Sequence, residues 1–433
     1  MKRYCFVTVM VCATAWGCTE KISTAPDLGF LKIDPRTVET IIPFADFVDD
    51  VQVFGGYGSV VDLGRGFVAQ DFGGLNARTL VHVGDYPTEV EQVPGTLSFA
   101  RGRVVLFFDT LRGTLDDPVF LEVFGVHEQW HPPTVTWEVV VDTAGDRREW
   151  SQPGGGVLTL LGGAAFSINA GQELDEEAAL TDSVSIFVDS ATVAALGDST
   201  SGMTGLLVAT AKPGTLLHLL DVRLRITTRA SEALDTIFEV SPQLKDLSFM
   251  FDPAPTAPQG WLRVGGTPAW RSVLTMSMPR TVTGTPEVCG AVGCKVDLTE
   301  VDLNLAELVL TTRQTEPAFQ PQDTTGMDVR VVLSPELLPK SPLGGVFLPF
   351  ARRLAPELFS IQAGTQVSLA VTSLVSGILE IAAVTDTVPV TSIALFSIPE
   401  PNIIGFASFE GAGGAGAPAL RLLYTIANPV GLP

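Results

Sequence analysis

A histidine pair with an intervening glutamate is the first feature of this sequence whose residue types and spacing could do chemistry. Residues 127–131, with the sequence HEQWH, match the H-E-x-x-H pattern, in which two imidazoles on one helical face bind zinc and the glutamate is the general base. Pro132 and Pro133 follow at once, and proline disfavours a helical conformation in the residue before it. In an extended segment His127 and His131 would stand about 13 Å apart, too far to share one zinc ion. A zinc peptidase that uses this segment is therefore only the second alternative function.

Three tryptophans near this segment form a second constellation. Trp130, Trp137 and Trp150 lie within 21 positions, and Arg147 accompanies them. Aromatic faces stack on sugar rings, and arginine side chains hydrogen-bond hydroxyl groups. Trp137 has valines on the same face of its predicted strand, which favours a core position, whereas buried and exposed positions stay equally open for the other two. The ligand-binding candidates are Trp130, Trp150 and Arg147.

The amino terminus predicts export. Lys2 and Arg3 precede an apolar stretch, residues 4–15, that is too short for a typical membrane span, and this is the layout of a secretory signal peptide. Cys18 follows a small residue, as in the bacterial lipoprotein box, where the cysteine is lipidated and becomes the first mature residue. We expect residues 1–17 to be a lipoprotein signal peptide and the protein to be anchored in the outer membrane of the cell envelope. The alternative is an ordinary signal peptide and an unmodified Cys18.

Two further cysteines, Cys289 and Cys294, are separated by four residues. In an oxidising compartment this spacing predicts a disulfide that pins the tip of a loop. A zinc site would need a second pair of ligands, which the sequence does not offer nearby. We therefore predict a disulfide and no metal site.

The charge balance excludes one class of partner. Asp and Glu number 48 against 27 Lys and Arg, a formal net charge of −21, and the sequence contains no run of basic residues. Such a field repels phosphate backbones, so we expect no nucleic acid partner. It also opposes a polyanionic sugar unless a local basic groove or calcium bridges intervene. Structural calcium could bind acidic residues 49–50, 116–117 and 175–177, with solvated loop charge as the competing interpretation, and no other cofactor is expected.

The elements that must position these residues follow a repeated order. Three short patterns occur at residues 77–81, 184–190 and 222–226, and similar patterns recur at 270–274, 367–373 and 420–424. Each pass is long enough to be a domain with its own core. We expect a tether at 18–35, a first domain at 36–230, a linker at 231–244, a second domain at 245–427 and a tail at 428–433.

Local patterns predict an all-β fold. The chain has 42 glycines and 30 prolines, and strands of four to eight residues alternate with turn residues throughout. Asp189 and Thr372 are good N-caps that each precede one short helical segment. The expected architecture is two tandem β-sandwich, jelly-roll-like domains, each with one short helix.

Several segments resemble the DNRLRE domain family: residues 78–81, 126–130 and 134–137 in the first pass, and 371–375, 406–410 and 418–422 in the second. The resemblance covers roughly residues 40–230 and 245–427. Domains of this family are extracellular β-sandwiches related to carbohydrate-binding modules, and some bind acidic polysaccharides such as alginate. The first pass lacks the Phe-x-Ser-x-Glu stretch found at 406–410, and the second lacks the paired tryptophans.

The function expected from these observations is that of a non-catalytic cell-envelope lipoprotein with tandem binding modules for a polysaccharide. The first alternative is a structural or adaptor protein that binds another envelope protein. Neither requires contact with the membrane except through the N-terminal lipid anchor.

Overall fold

The computed structural model of the chain describes residues 36–55, 60–90, 93–114, 118–167, 181–267, 269–289, 293–345, 352–400, 404–413 and 416–426. The predicted signal peptide, Cys18, the tether and the tail lie outside these residues. Within them the protein is all-β, as predicted. Among the described residues, no helix has the length and apolar character that crossing a membrane would require.

Fourteen strands come from the first part of the chain: β1 (Arg36–Pro43), β2 (Val48–Phe54), β3 (Gly66–Phe72), β4 (Leu75–Val83), β5 (Leu97–Thr114), β6 (Val119–Val126), β7 (Val139–Thr143), β8 (Asp146–Glu149), β9 (Leu158–Phe166), β10 (Thr181–Val188), β11 (Gly205–Thr210), β12 (Thr215–Ala230), β13 (Ala233–Val240) and β14 (Leu244–Asp252). Eleven follow: β15 (Leu262–Gly265), β16 (Arg271–Met276), β17 (Thr281–Thr283), β18 (Lys295–Asp297), β19 (Asp302–Arg313), β20 (Thr325–Val331), β21 (Arg352–Leu354), β22 (Gln366–Ala370), β23 (Thr391–Ser397), β24 (Phe406–Phe409) and β25 (Ala419–Ile426). The α-helices are α1 (Ser190–Gly197), the single turn α2 (Pro286–Cys289) and α3 (Thr372–Thr385). Short 3-10 turns lie at Phe44–Asp46, Val60–Leu63, Leu298–Glu300, Pro317–Phe319, Pro335–Leu337 and Pro356–Phe359.

Strands β3–β6 and β9–β14 form one ten-stranded antiparallel sheet, which we call the first body. Its order is β10-β5-β12-β3-β4-β11-β6-β9, with β13 beside β12 and β14 beside β4. Because β9 approaches β10, the sheet is nearly closed. Alternation of side chains along the strands fills its interior: Val222, Leu224 and Ile226 of β12 are buried, while the residues between them face outward.

Two antiparallel sheets enclose the core of the second body. One has the order β1-β25-β19-β24-β15 with β22 beside β19, and the other has the order β2-β16-β23-β20-β21. Side chains from both sheets meet in one apolar cluster, among them Leu308, Leu422 and Leu274. This arrangement is that of a β-sandwich.

Each body carries one helix of two or more turns, as predicted. Asp189 caps α1 by accepting a hydrogen bond from the Thr192 N–H at 2.8 Å. Thr372 is not the N-cap of α3, because that position falls to Val371, whereas the Thr372 hydroxyl accepts a hydrogen bond from the Ala306 N–H of β19. The predicted Cys289–Cys294 disulfide is present and closes the segment after α2.

The two bodies share one order of strand pairing. The run β13-β12-β5-β10 of the first body corresponds to β1-β25-β19-β22 of the second, and β14-β4-β11-β6-β9 corresponds to β2-β16-β23-β20-β21. Strands β1 and β2 therefore occupy in the second body the places that β13 and β14 occupy in the first. Arg36 lies opposite Ile426, where the first body has the tight turn between β12 and β13.

The predicted domain boundaries are corrected by this pairing. Residues 36–54 were expected in the first domain, but β1 pairs with β25 over eight residues and β2 pairs with β16. The expected linker 231–244 contains β13, and β14, expected in the second domain, pairs with β4. The physical reason is that alternation shows which face of a strand is buried, whereas every strand edge offers the same N–H and C=O groups to any partner.

A further apolar cluster joins the two bodies. Phe67 and Phe249 of the first body pack at 4.6 Å between ring centroids, and this cluster continues into Trp270, Phe319 and Phe406 of the second. Each body also has its own separate core, so the bodies are attached through a third apolar layer rather than through a free linker.

Candidate functional site

The predicted tryptophan platform is part of a core. The segment 127–157 lies over the outward face of β4, β11 and β6, and its apolar side chains pack on Leu80 and Leu207. Trp130 and Trp150 are only 4% and 5% exposed, and the Trp150 indole donates a hydrogen bond to the Thr136 carbonyl at 2.9 Å. Stacking on a sugar needs an exposed ring face, and neither of these two tryptophans presents one.

Arg147, the third predicted ligand-binding residue, lies on the exposed ribbon formed by β7 and β8. Its Nη1 is 3.7 Å from the Asp142 carboxylate. The ring of Trp137 lies under the guanidinium of Arg78, at 4.9 Å. The structure therefore leaves Arg147 exposed without bringing it to a tryptophan face that a sugar could reach.

The histidines of the HEQWH segment do not form a zinc site. The segment has no helical turn, and His127 and His131 each hydrogen-bond a threonine hydroxyl at 2.9 Å, that of Thr159 and that of Thr134. The helical face that the zinc motif needs is thus missing here. In the part of the chain that the structure describes, no three His, Cys, Asp or Glu side chains are grouped so that they could hold a metal ion.

Two of the acidic candidates for catalysis or calcium binding lie in the described part of the chain and accept hydrogen bonds from nearby residues. Glu128 accepts a hydrogen bond from the Ser151 N–H at 3.1 Å, and Asp50 accepts one from the Gln52 amide at 2.6 Å. The candidate clusters 116–117 and 175–177 lie outside the described residues.

Five arginines point outward from two neighbouring strands of the first body. They are Arg101 and Arg103 on β5 and Arg223, Arg225 and Arg229 on β12, and we call them the arginine face. The residues that alternate with them, such as Val104 and Leu224, are buried in the core. The period of two along a strand therefore places all five guanidinium groups on one side of the sheet.

Register sets the geometry of the arginine face. Arg103 lies directly opposite Arg225 across the β5–β12 pair. Glu239 of β13 accepts a hydrogen bond from each of them, at 2.7 Å from Arg103 and 3.3 Å from Arg225. Like charges directly opposite in a sheet are destabilising, and here a single carboxylate serves both guanidinium groups.

The remaining arginines have few partners. Arg223 donates to Asp221 at 2.7 Å. Arg101 and Arg229 have no carboxylate within 4.0 Å among the residues that the structure describes. Among the described residues, Asp221 and Glu239 are the carboxylates that form ion pairs with these five arginines, so the ion pairs leave an excess of positive charge on the face. It is a positive patch on a protein whose formal net charge is −21.

Aromatic side chains border this patch. Phe187 of β10, directly opposite Arg103, is 69% exposed. The Arg223 guanidinium lies 4.8 Å from the centroid of the Phe107 ring. Guanidinium groups bind carboxylates through paired hydrogen bonds, and an exposed ring offers a stacking surface. Together these groups can hold a flat ligand that carries carboxylates.

The arginine face contains no two adjacent basic residues, so a run of basic residues in the sequence does not mark it. On a strand the signal is an arginine at every second position, as in Arg101-x-Arg103 and Arg223-x-Arg225. Such a pattern could have suggested a charged strand face, but only the β5–β12 register brings the two pairs together.

Comparisons with known proteins do not indicate a function for this chain, so the functional proposal depends on the geometry described above. Neither a protein-family profile nor a curated protein matches the chain. Among solved structures, the crystal structure of the mavirus major capsid protein aligns over 95% of this chain and 90% of that chain, at 10% sequence identity and a TM-score of 0.08. A TM-score this low carries no argument about fold or function.

Proposed function

We propose that the protein is an exported, non-catalytic binding protein that holds an acidic polysaccharide on the arginine face. The observation that carries the proposal is the opposed pair Arg103 and Arg225 with one shared carboxylate, Glu239. Opposed like charges lower stability, and carboxylates of a bound ligand would supply the missing countercharge.

The shape and borders of the face favour a polysaccharide over a compact ligand. Successive outward residues of one strand are about 6.6 Å apart and neighbouring strands about 4.8 Å apart, so the guanidinium groups form a flat grid suited to an extended chain. The exposed Phe187 ring next to Arg103 supports a sugar ring rather than a bare anion. Double-stranded DNA, with its dense phosphates, would meet strong repulsion from the remaining acidic surface.

Export and a cell-envelope location remain part of the proposal. The Cys289–Cys294 disulfide supports an oxidising compartment, where such bonds persist. Lipidation of Cys18 would attach the two bodies to the membrane and leave the arginine face free for a polymer of the envelope.

The test measures binding of the full chain to sodium polygalacturonate by affinity electrophoresis and calorimetry. Neutral dextran and double-stranded DNA are the comparison polymers. We expect binding to polygalacturonate that weakens as salt is added, because exposed charges are screened. The double variant Arg103→Ala, Arg225→Ala should bind at least about tenfold more weakly, since hydrogen bonds between charged groups are each worth that much.

Arg421→Ala is the matched control, because Arg421 lies on the outward face of β25 at the place that corresponds to Arg223. It should leave polygalacturonate binding unchanged. Equal binding by the wild type and the double variant would overturn the proposal. Tighter binding of DNA than of polygalacturonate would replace the polysaccharide with a nucleic acid.

A further inference from the structure

A cavity of about 740 Å³ opens at one end of the first body. It lies between the segment that follows β4, the loop between α1 and β11, and the start of β5. Polar groups line much of its wall, including His82, Gln129, Ser199 and Lys245. A cavity of this size accommodates a ligand of one or two sugar rings.

The imidazole of His82 is held in one orientation in this wall. Its Nδ1 is 3.0 Å from the Asp246 carboxylate of β14, and its ring stacks on Trp130 at 3.9 Å between centroids. Because a carboxylate accepts at Nδ1, that nitrogen carries the hydrogen of the neutral ring and Nε2 is left as an acceptor. Burial lowers the pKa of His82, although Asp246 acts in the opposite direction, so the neutral ring is favoured.

The second nitrogen of this ring is available to a ligand. Nε2 of His82 has no hydrogen-bond partner within the described ranges, and it is not a buried atom. The opposite wall of the cavity is fixed by local hydrogen bonds. Asp198 accepts from the Thr200 N–H at 2.8 Å, and the Ser201 hydroxyl donates to the Ala195 carbonyl at 2.6 Å. His82 therefore brings an acceptor to the lining of a cavity beside a loop that hydrogen bonds hold in place.

The second body provides an internal comparison. The place of His82 is taken by Thr275, whose hydroxyl lies 3.2 Å from that of Ser392, and Asp50 stands across the strand pair where Asp246 stands in the first body. The corresponding loop region is bridged by Arg280, which pairs with Asp297 and Asp386. Since the same strand order folds there with a threonine in the place of the histidine, the fold itself does not require the His82–Asp246 pair.

We propose that this cavity is a second binding site, which takes a small hydroxylated ligand of one or two sugar rings. One ligand hydroxyl donates its hydrogen bond to Nε2 of His82, and Asp246 keeps the ring in the tautomer that accepts it. The choice of a sugar rests on the proposed function, but the site is separate from the arginine face. Binding can therefore be lost at one site and kept at the other.

The test uses the full chain labelled with nitrogen-15 histidine and proton–nitrogen correlation spectra, which are simple because the chain has four histidines. Glucose, galacturonate and cellobiose are the probes. We expect a saturable shift of the His82 Nε2 resonance with at least one probe. His82→Phe keeps an aromatic ring beside Trp130 but removes both nitrogens, and it should weaken the affinity about tenfold, the value of one hydrogen bond.

Asp246→Asn tests the role of the carboxylate in positioning the ring, and Asp50→Asn is its matched control in the second body. Asp246→Asn should change the His82 tautomer signals and weaken binding, whereas Asp50→Asn should do neither. The variant Arg103→Ala, Arg225→Ala should bind the small sugars as the wild type does, which separates this site from the polymer site. The proposal is overturned if no probe shifts Nε2 in a saturable way, or if His82→Phe binds as tightly as the wild type.

Discussion

The outward faces of β12 and β25 occupy matching places in the two bodies but differ in the number of arginines that they carry. In the first body Arg103 lies opposite Arg225, and at the corresponding register of the second body Leu305 lies opposite Leu423. The same strand framework therefore tolerates an uncharged pair at this position. We infer that the arginine pair is kept for binding and not for folding.

The arginines of the two bodies also differ in how many carboxylates pair with them. Arg421 of β25 donates to Glu39 at 2.8 Å and to Glu307 at 3.0 Å, and these carboxylates raise its pKa. One arginine there has two carboxylates, whereas in the first body two arginines share Glu239. A saturated ion pair has no charge left for a ligand, but an unsaturated one does.

The cavity next to His82 follows the same division. In the second body the ion pairs of Arg280 span the corresponding region, while the first body has the cavity there. Both candidate sites therefore lie in the first body. The second body, which holds the strands β1 and β2 nearest to the proposed anchor, serves as the attachment unit in our proposal.

Among the substitutions that test the difference between the two bodies, Phe47→Ala should have the largest effect on the unfolding free energy. Phe47 lies between β1 and β2, is 1% exposed and packs in the core of the second body, with Phe44 at 5.8 Å. Removing a buried phenylalanine side chain costs about 3–5 kcal/mol of unfolding free energy. Hydrogen exchange should show the loss of protection first in β16 and β25, although Phe47 precedes the first body in the chain.

Phe187→Ala, at an exposed position of the first body, is the control for this substitution and should change the unfolding free energy by about 0.5 kcal/mol or less. Loss of protection confined to the first body in Phe47→Ala would contradict the assignment of β1 and β2 to the second.

Replacing an arginine by leucine should have a smaller effect on stability, and the sign of this effect should differ between the two bodies. Arg225→Leu gives the first body the residue that the second has at this register. It should weaken polygalacturonate binding about tenfold, while the unfolding free energy stays constant or rises by up to about 0.5 kcal/mol, because the opposed charges are gone. Chemical denaturation and calorimetry on the same samples measure both quantities.

Arg421→Leu is the corresponding change in the second body. It leaves Glu39 and Glu307 without their cation, so the denaturation midpoint should fall while polymer binding stays unchanged. If both substitutions weakened binding equally, the contrast between the two faces would have no functional meaning.

The smallest effect concerns pH. Burial lowers the pKa of His82 below its ordinary value of 6.5, so the unfolded chain binds a proton at this residue more readily than the folded chain does. Stability is therefore fully present above pH 6.5 and falls as the pH drops below it. Denaturation midpoints measured from about pH 7.5 to about pH 5.5 should decline more steeply for the wild type than for His82→Phe. Parallel declines would show that His82 does not contribute.

Much of the local structure was predictable from the sequence. The alternation of Val222, Leu224 and Ile226 with arginines predicts a strand with one buried face, and Asp189 predicts the start of α1. The four-residue spacing between Cys289 and Cys294 predicts the disulfide. These features depend on contacts between residues close in the chain, where side-chain periodicity and capping act directly.

The candidate site was less predictable. Trp130 and Trp150 have the composition of a sugar platform, yet the segment that carries them folds onto β4 and β11 and buries them. The arginine face depends on the register between β5 and β12, whose paired residues are more than 100 positions apart. No local pattern encodes such a register.

The sequence by itself therefore determined that this protein is built from strands and which faces of many of those strands are apolar. Only the tertiary structure decided that β1 and β2 complete the second body, that the tryptophans are core and that five arginines share one face. The reason is physical: side-chain alternation is a property of a strand, whereas the partner of each strand edge is chosen by long-range packing among edges with the same hydrogen-bonding groups.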